Sequence, residues 1–362
     1  MSRRLLVTGG AGFIGSNFVH YWCVNYPDSR VVVLDALTYA GNRRSLAAVE
    51  GRDNFRFVQG NIGDRSLVNQ LLIGENIDTI VNFAAESHVD RSIVSPDAFI
   101  QTNLVGTFTL LESFRQYWES KNQPNHYLFL HISTDEVYGS LSSDDPPFTE
   151  TTPYAPNSPY SASKAGSNHL VRAYYQTYKL PTIITNCSNN YGAFQYPEKL
   201  IPLICINILL GKQLPIYGDG KNVRDWIYIL DHCRALDLVI HQSPPGETYN
   251  IGSNNEIENI QLVKLICQIM DELSPNLPVR PSSKLITFVS DRPGHDWRYA
   301  INANKIITQL GWQPQVKINE GLRLTVEWYL QNRHWWQPLL SSKYSREQGT
   351  GNREQGTGKE FV

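Results

Sequence analysis

The residues Thr8-Gly9-Gly10-Ala11-Gly12-Phe13-Ile14-Gly15-Ser16 form a glycine-rich stretch near the start of the chain. The stretch fits both Gly-x-x-Gly-x-x-Gly and Gly-x-Gly-x-x-Gly, and it lies between an apolar run and a helical pattern. Such glycines permit a tight turn from strand to helix and let backbone N–H groups approach a pyrophosphate at the helix N-terminus. A flexible turn without a ligand is the alternative, but the order of strand, turn and helix favours a dinucleotide site built on Gly9, Gly12 and Gly15.

Asp35 ends the second predicted strand, twenty residues after Gly15. A carboxylate at this point accepts hydrogen bonds from an adenosine ribose and repels a 2′-phosphate, so we expect NAD rather than NADP. The ends of neighbouring parallel strands line the same crevice. The residues that topology adds to it are Asn61 and Ile62 after the third strand, and Phe83, Ala84, Ala85, Glu86 and Ser87 after the fourth.

Short apolar runs alternate with longer helical patterns through the first half of the chain. This rhythm predicts an α/β protein with a Rossmann-type, doubly wound parallel sheet. The predicted strands are 5–8, 31–35, 55–59, 79–84, 127–133 and 182–187, and the predicted helices include 14–26, 97–118 and 160–178.

The sequence pattern changes after about residue 190, where prolines become frequent and strand-like and helical segments no longer alternate regularly. We therefore predict a Rossmann domain over 1–190, to which a later segment at about 221–250 returns. A smaller α/β substrate-binding lobe is predicted over 191–336. A repeated Arg-Glu-Gln-Gly-Thr-Gly sequence near the end is too polar to bury a core, so 337–362 is predicted to be a flexible tail.

Composition narrows the functional classes. The 362 residues include 32 basic and 34 acidic side chains, and the resulting net charge of -2 gives no general attraction to nucleic acid. Five scattered cysteines and nine scattered histidines form no ligand pattern, so we expect no disulfide framework and no metal. The first residues lack a signal-peptide core, and no apolar run approaches the ~20 residues that span a bilayer. A cytoplasmic protein without a membrane partner is expected.

Tyr160 and Lys164 lie four residues apart on a predicted helix, and so share one face. The lysine charge favours a tyrosinate, which we expect to lower the pKa of the tyrosine and let it take a proton from a sugar hydroxyl. The carbinol carbon then gives hydride to NAD. An ordinary surface pair is the alternative, which the complete NAD motif upstream disfavours.

Thr134, Asp135 and Glu136 follow the fifth predicted strand at its carboxyl end. Thr134 can hydrogen-bond a sugar oxygen, and adjacent carboxyl groups tend to have separated pKa values, which suits one acid and one base. The alternative is a helix capping box formed by Ser133 and Glu136. Recognition of a diphosphate needs local positive charge, for which the candidates are Lys199, Arg224, Arg292 and His295.

Six longer motifs together carry a family resemblance. They are Leu37-Thr-Tyr-Ala-Gly-Asn42, Ala84-Ala-Glu-Ser-His-Val-Asp-Arg-Ser92, Ser133-Thr-Asp-Glu-Val-Tyr-Gly139, Cys187-Ser-Asn-Asn-Tyr-Gly192, Pro197-Glu-Lys-Leu-Ile-Pro202 and Asp291-Arg-Pro-Gly-His295. From Leu5 to about Tyr329 the chain resembles the extended short-chain dehydrogenase/reductase superfamily and, within it, the dTDP-glucose 4,6-dehydratases.

The resemblance implies a lyase of class EC 4.2.1.46, which converts dTDP-glucose to dTDP-4-keto-6-deoxyglucose, as in dTDP-rhamnose biosynthesis. Tyr160, supported by Lys164, would start the oxidation at C4, and Thr134 would contact the C4 oxygen. Glu136 would remove the C5 proton while Asp135 protonates the departing C6 hydroxyl. Hydride would return from the cofactor to C6, so that NAD is regenerated. A homodimer that joins through helices 97–118 and 160–178 is also implied.

The resemblance also extends the two binding sites. Around NAD it adds Phe13, Ile14, Leu37, Thr38, Thr102, Asn190, Tyr160 and Lys164. For the nucleotide sugar it implies Ser87, Thr134, Asn189, Lys199, Leu200, Pro215, Ile216, Tyr217, Arg224, Asn259, Asp291, Arg292 and His295.

Three positions depart from the family pattern. Asn61 stands where aspartate is usual, and its amide oxygen can still accept a hydrogen bond from adenine. Trp297 replaces an arginine and Ala193 a proline. The competing interpretations are a UDP-sugar 4-epimerase or decarboxylase, which does not need Asp135 and Glu136, and an NAD-binding regulator without catalysis, which does not need Tyr160 and Lys164.

Overall fold

The computed structural model describes residues 2–291 and 295–340. The strands in these ranges are β1 (Arg4–Thr8), β2 (Arg30–Asp35), β3 (Phe55–Gln59), β4 (Thr79–Asn82), β5 (Leu128–Thr134), β6 (Thr182–Cys187), β7 (Asn189–Tyr191), β8 (Leu214–Tyr217), β9 (Val223–Tyr228), β10 (Thr248–Ile251), β11 (Glu256–Glu258) and β12 (Ile286–Val289). The α-helices are α1 (Phe13–Asn25), α2 (Arg65–Gly74), α3 (Val89–Val94), α4 (Asp97–Phe99), α5 (Thr107–Ser120), α6 (Pro159–Tyr178), α7 (Leu200–Leu210), α8 (Ile229–Gln242), α9 (Asn259–Leu273), α10 (Asn304–Leu310) and α11 (Ile318–Gln331).

Seven parallel strands form the main sheet, in the order β10-β6-β5-β4-β1-β2-β3. Alternate side chains of β1 face opposite layers, as the two-residue period of a strand requires. Val7 packs with Phe18 of α1 and Leu236 of α8, whereas Leu6 packs with Phe114 of α5 and helices α2 and α6. Helices therefore cover both faces, and the predicted doubly wound α/β fold is confirmed.

The six predicted strands all occur, with ends shifted by at most two residues. A seventh, β10, pairs with β6, and helices α8 and α10 pack in the same core as β10. Thus segments from the second half of the chain return to the main sheet at more than one point.

The predicted helix over 97–118 is not uniformly α-helical. Residues Ile100–Gly106 form a π-helix between α4 and α5. Such segments often occur at functional sites, because the wider turn redirects side chains. Here it carries Asn103, whose amide contacts the backbone of Glu86 in the loop after β4 and the hydroxyl of Ser163 on α6.

A second core lies between α7, α9 and α11, with two small sheets beside it. The sheets have the orders β11-β9-β7 and β12-β8. Residues 333–340 are helical as well, because Trp335 and Trp336 are buried and the indole Nε1 of Trp335 donates to Ser45 Oγ at 3.1 Å. The predicted tail, 337–362, thus begins within this helical segment, and 341–362 lies outside the described residues.

Among the residues described, no helix is both long enough and apolar enough to cross a membrane.

Candidate active site

A cavity of about 310 Å³ opens at the carboxyl edge of the main sheet. In a doubly wound sheet this edge is where ligands bind, because the strand-to-helix loops diverge there. The cavity is continuous from the glycine-rich turn to the ends of β5 and β6. Predicted residues that line it are Gly9, Gly12, Phe13, Ile14, Gly15, Asp35, Thr38, Asn61, Ile62, Phe83, Ala84, Ala85, Glu86, Ser87, Thr102, Thr134, Asp135, Glu136, Tyr160, Lys164, Asn189, Asn190 and Lys199.

The glycine-rich turn is packed too closely for larger residues. Gly9 has a φ of +68°, and a Cβ there would lie 2.6 Å from Ala84 N. A Cβ on Gly15 would lie 2.3 Å from Gly9 O. At Gly12, the N-cap of α1, no side chain caps the helix, so the first turn presents backbone N–H groups at the positive end of the helix dipole. The turn thus fits a pyrophosphate.

Asp35 holds the neighbouring loop with both carboxylate oxygens. Its Oδ2 accepts from Ala11 N and its Oδ1 from Leu37 N, each at 2.8 Å. A carboxylate has about four acceptor positions, so capacity remains for a ribose hydroxyl. Leu37, with a φ of +51°, supports this loop but does not line the cavity.

Asn61 uses its amide oxygen locally, accepting from Gly63 N at 2.7 Å. One lone pair of that oxygen remains for a ligand.

Asn190 also lines the cavity. It is buried and donates from Nδ2 to Ser188 O at 2.9 Å and to Cys187 Sγ at 3.3 Å.

The acidic pair begins where β5 ends. Residues Asp135–Tyr138 form a 3-10 turn, and the N-cap hydroxyl of Thr134 accepts from Glu136 N at 3.3 Å. Ser133 Oγ has no hydrogen-bond partner within the described residues. The alternative of a capping box made by Ser133 and Glu136 is therefore wrong.

Asp135 is only 2% exposed, and its Oδ2 contacts no hydrogen-bonding group of the described chain. Burial, together with the charges of Glu136 and Asp225, raises the pKa of Asp135 well above its usual value. Surroundings of this kind favour the protonated form of a carboxyl group. The cavity therefore contains a proton donor beside a second carboxyl group.

Helix α6 brings the tyrosine and lysine to the same place. It begins with Pro159 and a reciprocal capping box between Ser158 and Ser161, which fixes the first turn and hence the orientation of Tyr160. Burial and the charge of Glu136 raise the pKa of Tyr160 well above its usual value, although a hydrogen bond with Thr134 lowers it.

Lys164 is 3% exposed, and its Nζ donates to Ile132 O at 2.8 Å. Burial lowers the pKa of Lys164 to about 8. The expectation that the lysine brings the pKa of Tyr160 down is therefore wrong for this structure, because burial of the phenol outweighs any favourable charge nearby.

Three predicted sugar-binding residues lie at the mouth of the same cavity. Lys199 Nζ donates to Ser87 O at 3.2 Å and so links the second lobe to the loop after β4. Asn189 opens β7 beside them. Leu200 follows Lys199 as the first residue of α7 and does not line the cavity.

The remaining predicted contacts are on the second lobe, outside the lining of the cavity. Arg224 is buried, with its guanidinium 4.5 Å from the ring centre of Tyr299 and its Nη2 donating to Asp296 O at 2.9 Å. The positive charge of Arg224 has a minor effect on Asp135, whose pKa it lowers.

A second group surrounds Tyr217. Pro215, Ile216 and Tyr217 belong to β8, and the ring of Tyr217 lies 6.1 Å from that of His295. Asp291 Oδ1 lies 2.6 Å from His295 Nδ1. Asn259 begins α9. Arg292 lies outside the described residues.

Several cavity residues were not predicted from the sequence. Tyr39 and Tyr196 line the mouth in edge-to-face contact, 5.7 Å apart, and Arg91 lies 4.1 Å from the ring centre of Tyr39. Cys187 is the last residue of β6, and its position at a strand end was a usable signal. Tyr299 lies outside the lining of the cavity, but burial and then the charge of Glu136 raise its pKa, and no local sequence signal marks it.

No group of three or more potential metal ligands occurs among the residues that the structure describes.

Comparison with known proteins gives consistent matches over nearly the whole chain. A family model described as GDP-mannose 4,6 dehydratase matches residues 6–325. The dTDP-glucose 4,6-dehydratase of Xanthomonas campestris pv. campestris (strain B100) is 54% identical over 344 residues, which cover 94% of this chain and 97% of the relative. The enzyme of that name from Neisseria meningitidis serogroup B is 54% identical over 354 residues, covering 96% and 99%.

Solved structures agree. The dTDP-glucose 4,6-dehydratase from Bacillus anthracis in complex with NAD is 46% identical with a TM-score of 0.83, covering 93% of this chain and 100% of that one. The enzyme from Streptomyces venezuelae with NAD bound is 48% identical with a TM-score of 0.84, covering 93% and 99%. A UDP-glucose 4-epimerase from Thermotoga maritima is 28% identical with a TM-score of 0.80, covering 91% and 99%.

Proposed function

The chain belongs to the dTDP-glucose 4,6-dehydratase family, and we propose that its cavity removes water from dTDP-glucose to give dTDP-4-keto-6-deoxyglucose. One observation supports this function most directly. The buried acid Asp135 and its neighbour Glu136 line the same cavity as Tyr160 and Lys164. Oxidation alone needs only the tyrosine and lysine, whereas elimination needs an additional acid and base.

NAD fits the glycine-rich turn, Asp35 and the strand ends, and when bound it supplies the hydride acceptor and a positive charge that favours a nearby tyrosinate. Tyr160 takes the proton of the C4 hydroxyl as the C4 hydrogen leaves as hydride. Lys164, whose Nζ donates to Ile132 O, supplies a positive charge to the same cavity, and Thr134 orients the C4 oxygen through its hydroxyl.

The new C4 carbonyl makes the C5 hydrogen acidic. Glu136 removes that proton, the electron pair forms the C5–C6 double bond, and the C6–O bond breaks. Asp135 gives its proton to the departing hydroxyl, so that water leaves. The high proton affinity of Asp135 supports this assignment. Glu136 would then return its proton to C5, and bound NAD would supply the hydride that C6 takes up, so that no net redox change remains.

The diphosphate and the nucleotide extend toward the second lobe. Lys199, Arg224 and His295 are proposed to neutralise the diphosphate, with Arg292 as a further candidate outside the described residues. The nucleotide is proposed to lie against Tyr217, between β8 and the start of α9 at Asn259. Ser87 and Asn189 complete the proposed sugar contacts.

A homodimer in the cytoplasm is proposed as the working state. Exposed apolar side chains support the dimer, since Ile100, Val105 and Phe108 are each 40% exposed along the segment predicted to join the subunits. All five cysteines are free thiols in the structure, which suits a reducing compartment.

Purified protein incubated with NAD and dTDP-glucose tests the function. Mass spectrometry should show loss of one water, with no net accumulation of NADH. A product of unchanged mass but altered stereochemistry would instead indicate a 4-epimerase, and an unchanged sugar would reject both activities.

The Glu136→Gln variant tests the role of the base. It should still oxidise C4, because Tyr160 and Lys164 are intact, and it should accumulate enzyme-bound NADH while product formation falls by about 10²-fold or more. Full turnover by this variant would contradict the assignment. Glu50→Gln, in the exposed ion pair between Arg43 and Glu50, is a matched control that should leave turnover unchanged.

A further inference from the structure

His131 lies on β5, five residues before Glu136, and has no part in the chemistry described above. Its imidazole is completely buried, as are Thr8, Asn82 and Ser167 around it. A buried polar group is costly unless its hydrogen bonds are made. At His131 both ring nitrogens have partners, Asn82 Nδ2 at 3.1 Å and Ser167 Oγ at 3.1 Å.

A hydrogen bond outside the imidazole fixes the direction of these contacts. Thr8 Oγ1 donates to Asn82 Oδ1 at 2.6 Å, so the Asn82 amide nitrogen faces the imidazole and donates to Nδ1. The ring proton is then on Nε2 and is donated to Ser167 Oγ. Ser167 in turn donates to Lys164 O at 2.8 Å. The chain of donors therefore runs from β1 through β4 and β5 to the backbone of α6.

This chain ends at a residue that β5 also holds by its side chain. Lys164 Nζ donates to Ile132 O, which belongs to the residue after His131. Two successive residues of β5 thus constrain Lys164. His131 is linked through Ser167 to the backbone carbonyl of Lys164, and the carbonyl of Ile132 accepts a hydrogen bond from the Lys164 ammonium group. Thr134, Asp135 and Glu136 continue from the same strand.

We propose that His131 is a positioning residue, which aligns Tyr160 and Lys164 of α6 with the acid and base that follow β5. The proposal rests on the proposed function, because alignment matters only if both groups act on one sugar. A positioning role also explains why the imidazole of His131 is neutral. Burial, and then the charge of Lys164, lower the pKa of His131 well below its usual value, so no second cation competes with the lysine.

Two polar substitutions separate the two hydrogen bonds of the ring. In His131→Gln the side-chain amide nitrogen reaches the position of Nε2 and can still donate to Ser167. In His131→Asn the side-chain oxygen reaches the position of Nδ1 and keeps only the link to Asn82. Ser167→Ala breaks the link from the side of the helix. Val171→Ala, a buried truncation on α6 outside the chain, controls for loss of stability.

With dTDP-glucose as substrate, His131→Gln should keep kcat within about threefold of the parent. His131→Asn and Ser167→Ala should lose about tenfold or more in kcat with little change in KM, because misalignment acts on the reacting geometry. Val171→Ala should lower the Tm but keep kcat. Equal kcat for the Gln and Asn variants, or losses that simply follow Tm, would overturn the proposal.

A measurement without turnover distinguishes failure of this proposal from failure of the proposed function. Nitrogen-15 NMR of the imidazole should show the neutral Nε2–H form, without titration between about pH 6 and pH 8. An Nδ1–H form, or a ring that becomes protonated in this range, would overturn the hydrogen-bond chain even if the protein dehydrates dTDP-glucose. A parent protein that shows the Nε2–H form but does not act on dTDP-glucose would refute the proposed function and, with it, the need for alignment.

Discussion

Asp135 has the surroundings of a proton donor rather than of a surface carboxylate. Two other acidic groups, Glu136 and Asp225, act on it in a site that water scarcely reaches. Asp225 itself is held by Ser253 N at 3.1 Å and Asn255 N at 2.8 Å, so its charge is stabilised by backbone donors while Asp135 has none of this kind. Burial raises the pKa of both carboxyl groups, and at Asp225 the hydrogen bonds from Asn255 N and Ser253 N partly oppose that rise.

This difference predicts a pH-dependent gain in stability for Asp135→Asn. Because the pKa of Asp135 is raised in the folded state, folding takes up a proton, and the parent loses stability as pH rises above the usual value of 3.8. Asparagine does not ionise, so the Tm of the variant relative to the parent should increase from pH 4 to pH 7. Thermal melts at several pH values measure it.

Asp219→Asn provides the control for that series. A hydrogen bond from Lys221 N lowers the pKa of the exposed Asp219, so its removal should not stabilise the protein at pH 7. A Tm difference for Asp135→Asn that is constant with pH, or that falls as pH rises, would contradict the raised pKa.

A site residue could be predicted from the sequence when its function is indicated by residues close to it in the chain. Gly9, Asp35, Asp135 and Tyr160 were located from motifs whose chemistry depends on neighbours in sequence. Tyr299 was missed because its contacts form only when the lobes fold together. The pKa of Tyr160 was also misjudged, since burial cannot be read from the spacing to Lys164.

At the scale of elements, α1 and α8 form a layer on one face of the sheet that is joined by a polar cluster as well as by apolar packing. Asp237 of α8 accepts hydrogen bonds from Tyr21 OH at 2.7 Å and Tyr26 OH at 2.8 Å, and it lies 2.8 Å from His241 Nδ1. The ring of His241 also stacks on Trp22, at 5.5 Å between centres.

The cluster predicts a pH-dependent effect of His241→Gln. The hydrogen bond to Asp237 raises the pKa of His241 above 6.5, so its charge contributes stability below that value, and the contribution is lost as pH rises through the folded pKa. The pKa of Asp237 is lowered from 3.8, so its contribution is lost only in stronger acid. Denaturant unfolding should show a larger loss for the variant at pH 5.5 than at pH 8.5.

Tyr21→Phe is the matched control on the same carboxylate. It removes one hydrogen bond and should cost about 1 kcal/mol in the free energy of unfolding. That cost should be the same at both pH values, because neither partner titrates between them. If His241→Gln showed the same constancy, the charged pair would make no contribution.

The strands of the main sheet were predictable because each is a buried apolar run with a clear end. The short strand β10 was not predictable from the sequence. It follows a proline-glycine loop, and its four residues form a strand because they pair with β6. The π-helical turns at Ile100–Gly106 were missed for a related reason. Their geometry allows Asn103 to contact Glu86 and Ser163, and the spacing of apolar residues along the helix gives no indication of these contacts.

At the scale of the whole molecule, the lobes meet around the mouth of the cavity. Glu198 of the second lobe lies 3.3 Å from His88 Nε2 and 3.7 Å from Arg91 Nη2, both in the loop and helix after β4. Together with the contact between Lys199 and Ser87, these pairs close one side of the site. The cavity therefore depends on both lobes being in place.

The proposed homodimer predicts a change in mass for Phe108→Glu. The side chain is 40% exposed at the start of α5, and burying a charge there in an interface costs desolvation free energy that the guanidinium of Arg65, 5.8 Å from the ring centre of Phe108, only partly offsets. The parent should sediment at twice the mass of the chain, and the variant should shift toward the monomer with its Tm little changed. Leu324→Glu, a similarly exposed position on α11, should leave the mass unchanged.

We propose that one sugar is oxidised by Tyr160 and dehydrated by Asp135 and Glu136 within the same cavity. It is tested most directly with dTDP-glucose that carries deuterium at C4. The deuterium should appear at C6 of the 4-keto product, because the hydride taken from C4 returns to C6 after water has left. Deuterium that returns to C4 of a sugar still bearing its C6 hydroxyl would contradict the account and show a redox enzyme without dehydration.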